Sequence, residues 1–418
     1  MKLPRLLLLL VFATLNFVDV QVARSSQTSD ADLQPAAANS ERSRLVRLNC
    51  DRGDSITRAL ARTRDIPEVE IQFRGTCRER VVITRDSLTL RGQNESAVLV
   101  GLIDVIRSSR VTLSGFIIRH GDGSPRDAGQ GGVAATDGTD ITLDNLRLEG
   151  INNARGILLA SSTAKINNVT TINVAGGGFV FRGSSVFMSG EIRASGSPFG
   201  MSLVNSQGFI KKGTLDFHDN LYGLIVQIGS GLEHVEGGLT VNNNAIGLLV
   251  AGKAVLAHGC PIHAEGNSSI GIWVNELSDL THLIRDPPLP VSITSINNAG
   301  TGFLVEDGSI VDLVNPTTIT GNDLGLVADN AQLIVTGCTA EGNETADMQL
   351  MFDSKATFLG ELTSIATPIQ CDNTVLTRGA HSCGVALAPE AANALALHLR
   401  AAVKADSALQ QALALSRE

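Results

Sequence analysis

The chain has 418 residues, with 33 Lys and Arg against 42 Asp and Glu, and a formal net charge of −9. An acidic balance without a basic run excludes a nucleic-acid-binding or polyanion-coating surface, and 43% hydrophobic content excludes wholesale disorder. Six cysteines in this length exclude a small disulfide scaffold.

Lys2 and Arg5 precede an apolar run over residues 6–18, long enough for a signal h-region and short for a membrane span. Residues 1–24 therefore read as a signal peptide, with an uncleaved anchor as the competing reading. Residues 25–44, rich in Ser, Ala, Gln and Asp, read as a polar linker. Export makes disulfides possible. Two local pairs are expected: Cys50 with Cys77 around a short helical segment, and Cys371 with Cys383 where the repeats end. Cys260 and Cys338 fall at matching points three repeats apart, a separation of about 14 Å that no disulfide spans, and read as buried fillers.

A glycine followed by mostly apolar residues recurs at Gly156, Gly178, Gly200, Gly223, Gly247, Gly271, Gly302 and Gly325, with Gln349 in its place one repeat later. Most spacings are 22–24 residues, and asparagines keep step at Asn220, Asn244, Asn267, Asn298, Asn322 and Asn343. The period is too short for helical repeats and holds two or three short runs rich in Val, Ile, Leu and Thr, so the repeat is a coil of β-strands. Glycine and asparagine suit left-handed corners, and stacked asparagines can hydrogen-bond from coil to coil. Alternate residues of a strand face opposite sides. One parity gives Ile157, Phe179, Met201, Leu224, Leu248, Ile272, Phe303, Leu326 and Leu350, then Leu159, Phe181, Leu203, Val226, Val250, Val274, Val305, Ala328 and Phe352. All are apolar, so this parity is the core.

These Gly-φ-x-φ strands, Asn corners and coil lengths resemble right-handed parallel β-helix proteins of the pectin-lyase-like superfamily. The segment from NCDRGDSITRALA to IQFRGTCRERVVI resembles the capped start of exported bacterial members. The resemblance implies an all-β, single-stranded right-handed solenoid over residues 45–385, of eleven or twelve coils, with a helical cap near residues 54–64. It also implies polysaccharide binding on an outward sheet face. The DPH motif of the family's uronan epimerases and the NTD, DD and GHG set of its polygalacturonases are absent from the sequence, and the Asp, Lys and Arg cluster of its Ca²⁺-dependent pectate lyases is not recognisable.

The outward parity begins with Leu158, Val180, Ser202, Ile225, Leu249, Trp273, Leu304, Val327 and Met351, an apolar stripe of the kind that meets a partner. Residues 386–418 read as a C-terminal amphipathic helix, with Leu395, Leu399, Val403 and Leu413 near helical spacing, and a fold-back along the stripe is expected. Capping of the last coil or pairing with a second chain are the alternatives. The next outward column holds Arg182, Glu306, Asp329 and Asp353. Three carboxylates about 5 Å apart would form an acid–base set for glycoside hydrolysis or hold Ca²⁺.

The expanded turn over residues 119–132 offers His120, Asp122, Arg126 and Asp127 as a second set, and residues 276–290 place His282, Arg285 and Asp286 near Trp273, a sugar-stacking candidate. His258 and His263 are poorly spaced for a metal, and no metal site is assigned. Two functions follow: an exported, non-catalytic scaffold that binds a polysaccharide or a cell-surface protein, or a polysaccharide lyase or glycoside hydrolase at the outward carboxylates. Neither involves nucleic acid or a membrane span in the mature chain.

Overall fold

The computed structural model describes residues 44–94, 96–120, 131–152, 154–283, 291–314, 316–359, 364–379, 381–388, 390 and 392. The chain winds as a right-handed parallel β-helix in which each strand pairs in parallel with those one coil before and after. Three faces result. The first two merge into one sheet because strands such as Ser185–Ser195 and Gln207–His218 run on from one face to the next. The third face is a separate sheet of fourteen strands. It begins three coils before the first repeat glycine, at Val81–Ile83, Ile103–Ile106 and Gly131–Thr136, and ends in the two-residue strands Gln370–Cys371 and Val385–Ala386. The expectation of eleven or twelve coils therefore falls short.

Of the eighteen residues assigned to the core by parity, seventeen have no exposed surface. The exception, Phe352, exposes a slip in the expected register. Leu326 pairs with Met348 and Ala328 with Leu350, so Asp347, not Gln349, takes the glycine position of that coil. Phe352 and Asp353 lie beyond the strand with φ of 47° and 61°.

The repeated glycines are there for space. A Cβ on Gly247 would sit 2.5 Å from the carbonyl oxygen of Gly271 one coil on, and Gly156, Gly200 and Gly223 meet the same obstacle at 2.5 Å. The left-handed corners are occupied instead by other residues, among them Asn173, Asn205, Asn243 and Asn297. The repeated asparagines are hydrogen-bond relays. Asn244 N–H donates to Asn267 Oδ1 at 2.9 Å and Asn267 N–H to Asn298 Oδ1 at 3.0 Å, while Asn267 Nδ2 donates to Val241 O at 3.0 Å. The ladder runs from Ser197 through six asparagines to the Asp347 carboxylate, which accepts from Asn343 Nδ2 at 2.8 Å.

A second ladder lies at another corner. Ser162 N–H donates to Ser184 Oγ at 3.2 Å, and Ser184 N–H to Ser206 Oγ and Ser206 N–H to Ser230 Oγ at 3.1 Å. Ser278 and Ser309 continue it beyond Ala254, which supplies no acceptor.

The expected helical cap is the helix Ile56–Arg62 with Ser55 as N-cap. Glu79 accepts from Ile56 N–H at 2.7 Å, Thr57 N–H at 2.9 Å and Ser55 Oγ at 2.9 Å, which ties the helix to the first coils. Burial works to raise the Glu79 carboxyl, and these hydrogen bonds outweigh it, so its pKa lies below the usual range. Disulfides join Cys50 to Cys77 and Cys371 to Cys383, with Cα–Cα distances of 5.0 and 5.7 Å. Cys260 and Cys338 are free and buried, and burial pushes each thiol up to about 12. The signal and linker segments lie outside the described residues, as does nearly all of the C-terminal segment; the last described turn has Ala392 N–H donating to Ala388 O at 3.0 Å.

Asn267→Ala strands the Asn244 N–H and the Val241 carbonyl in the interior, and urea unfolding should register a loss of about 3 kcal/mol. Ala254→Ser gives Ser230 N–H the missing acceptor, and the same measurement should show a gain of about 0.5–1 kcal/mol.

Candidate functional site

The outer side of the third face carries the apolar stripe in the expected order from Leu158 to Val327, with Gln349 rather than Met351 next in register. A second apolar column runs beside it: Phe199, Tyr222, Ile246 and Ile270, then Thr301, Leu324 and Ala346. Together they form a hydrophobic cluster separate from the interior core, and its members are no more than 9% exposed. Burial here is unexpected for an outward face. Ala392 belongs to the cluster at 0% exposure, and Leu387 packs against it.

The carboxylate trio is not assembled. Glu306 and Asp329 are in-register neighbours, but Met351 occupies the third position and Asp353 lies in the following turn. Both Glu306 and Asp329 are 4% exposed, and Trp273 Nε1 donates to Glu306 Oε2 at 2.8 Å. The tryptophan is thus a structural partner of the carboxylate within a covered layer and offers no open ring face. Arg182 stands five coils or more from this pair in the same column, next to Ala160 and Val204. The Ca²⁺ reading relied on three carboxylates on successive coils, and the described residues include no cluster of three or more metal-ligating side chains.

His120 is half-buried at the edge of the expanded turn, and Asp122, Arg126 and Asp127 lie outside the described residues. Asp279–His282 is a regular strand of the first face, paired with Val255–His258, so His282 is not beside Trp273; Arg285 and Asp286 lie outside the described residues.

That pairing reveals an unanticipated column. His234, His258 and His282 are in register on three successive coils; His234 and His258 are buried in line with Ile210, and His282 is partly exposed. His258 Nδ1 donates to Cys260 O at 3.0 Å and His234 Nε2 to Gly213 O at 2.9 Å; His282 Nδ1 contacts Asp312 Oδ2 at 2.7 Å. Burial, reinforced by the two neighbouring histidines, lowers His258 to about 4 and leaves it neutral; burial lowers His234 in the same direction.

The outer side of the first face carries an open groove of about 470 Å³. Its walls come from two outward columns. One runs Ser185, Gln207, Gly231, Val255; the other runs Phe187, Phe209, Glu233, Ala257. Val186, Leu232 and Leu256, of opposite parity, hold the same strands to the core. Phe187 is half exposed, and its ring stands edge-to-face with Phe209 at 6.2 Å between centroids. The Gln207 side chain crosses the space beside Gly231, its Oε1 lying 2.4 Å from where a Cβ would stand, so a larger residue there would displace this amide. Lys253 closes the far wall. The rings were legible in the sequence: Phe187 and Phe209 are 22 residues apart, one coil, and occupy the same phase.

No protein-family model matches the chain, and no curated protein matches it. Among solved structures it is similar to the Azotobacter vinelandii mannuronan C-5 epimerase AlgE6 A-module, at 13% identity and a TM-score of 0.46 over 78% of this chain and 95% of that chain. It is similar also to the periplasmic alginate epimerase AlgG, at 12% identity and a TM-score of 0.38 over 77% of each. A third is the catalytic domain of a GH87 α-1,3-glucanase, at 12% identity and a TM-score of 0.28 over 85% of this chain and 70% of that one.

The histidine column gives a pH signature. The folded pKa of His258 lies below its unfolded value, so the unfolded chain binds the extra proton and stability falls as pH drops from about 6.5 towards about 4. Between pH 7 and 5 this one group should remove about 2 kcal/mol, measured by urea unfolding, and His258→Leu should flatten the dependence.

Proposed function

We propose that this protein is an exported binding scaffold that holds a polysaccharide against the outer side of its first face, on the Phe187–Phe209 groove. The observation that carries the reading is the edge-to-face pair of rings on consecutive coils, with Phe187 half exposed and Gln207, Glu233 and Lys253 lining the same groove. A sugar ring presents apolar C–H faces and an equatorial rim of hydroxyls; aromatic faces take the first, and amide, ammonium and carboxylate groups take the second. Glu233 is the single carboxylate among the residues that line the groove, whereas glycoside hydrolysis uses two, so binding fits this site better than cleavage. Disulfides at both ends of the solenoid support an oxidising compartment.

A lyase or hydrolase acting through Glu306 and Asp329 is the second reading, favoured by their adjacency in register. It requires that the layer over the third face open, because both carboxylates are buried.

Affinity electrophoresis against immobilised uronic-acid and neutral polysaccharides tests the first reading. Phe187→Ala should weaken binding about tenfold, and Phe187→Ala with Phe209→Ala about a hundredfold, with thermal stability close to that of the parent. Retention unchanged in the double variant would exclude the groove as the site. Release of unsaturated products or reducing ends that disappears in Asp329→Asn would establish the second reading instead.

A further inference from the structure

The third face presents a physical contradiction: its outer side is an apolar layer two columns wide, yet Val180, Ile225 and Val327 have no exposed surface and Leu249 and Leu304 almost none. Something covers it. The last described residues indicate what. The chain leaves the solenoid from the third face itself, at strand Val385–Ala386. Leu387 then packs on the layer, and Ala392, in a helical turn closed on Ala388, is fully buried in it.

We propose that residues 393–418 form an amphipathic helix that docks antiparallel to the direction of coil growth along the outer side of the third face. Counting from Ala392, residues at helical spacing are Leu395, Leu399, Ala402, Asp406, Leu409 and Leu413, so the buried alanine continues into a face that is apolar but for Asp406. The length matches. Twenty-six residues of helix extend about 39 Å, and the eight coil steps from Gln370 back to Val180 span about 38 Å at ~4.8 Å per coil.

Charge matches as well. Arg400 and Lys404 fall about 12 and 18 Å along the helix from Ala392, while Asp329 and Glu306 stand roughly three and four coils, about 14 and 19 Å, from the terminal strand. Glu418, at about 39 Å, comes within reach of Arg182, nine coils or about 43 Å away. Arg182, Gln227, Glu306 and Asp329 border the layer in one column, and none of them is without a partner.

Trp273 is the chain's only tryptophan and sits in the layer at 9% exposure, so its fluorescence reports on the cover directly. In the full-length protein, acrylamide should quench it poorly, and hydrogen–deuterium exchange should find residues 393–415 protected. Leu395→Asp with Leu399→Asp should raise the quenching constant at least threefold while the far-UV spectrum of the solenoid is retained. Exchange over residues 393–415 at the rate of an unstructured peptide would overturn the proposal, whether or not the variant folds. So would a folded variant in which Trp273 remains as shielded as in the parent.

Discussion

Every coil buries polar backbone groups at its corners, and those groups find their partners on the next coil. This requirement sets the rest of the structure. The asparagine ladder from Asn220 to Asn343 and the serine ladder through Ser184, Ser206 and Ser230 satisfy corner N–H groups that water does not reach. A coil displaced by one residue would break both ladders and turn its core residues outward. The glycines act from the other side: Gly247 and its equivalents let the backbone of the next coil approach to a distance that any Cβ would block. Attraction at the corners and close approach along the third face together leave one register.

With register set, chemistry on this fold is organised in columns. Whatever occupies a given phase of one coil stands about 4.8 Å from its equivalents on the neighbouring coils. The aromatic groove, the Glu306–Asp329 pair and the histidine column all arise in this way, from residues 22–24 apart in the chain. The environment of each column then decides its character. Inward, His234 and His258 are buried and His258 is held neutral; outward on the first face, Phe187 is half exposed and Phe209 stands beside it. The third face is the intermediate case, outward by parity and yet buried as a separate hydrophobic cluster.

The departures from the sequence reading have distinct physical origins. Asp353 was placed beside Asp329 because a period of 24 residues was carried on into the coil after Gly325; the actual step is 22, from Leu324 to Ala346. An aspartate fits the glycine position there because the asparagine ladder ends in that coil, where the Asp347 carboxylate takes over as acceptor for Asn343. The histidine column was missed because its members lie in strands whose spacing varies with the corner loops, 24 residues in both steps here but without a glycine to mark the phase. Trp273 was read as a stacking surface, whereas its indole nitrogen donates to Glu306 within a buried layer.

Sequence alone determined the coil, its period over most of its length, the inward parity and the two disulfides, because each of these follows from local spacing: a strand alternates every residue, and a coil repeats when its corners repeat. It also contained the outward columns, including the 22-residue step between Phe187 and Phe209. Only the tertiary structure decided which outward columns meet water. Periodicity distinguishes inside from outside for a single coil, but whether an outside face is covered depends on contacts between segments far apart in the chain, such as Ala392 against the layer that includes Trp273. The outer side of the third face is buried although it is outward by parity, whereas the first face keeps Phe187 half exposed.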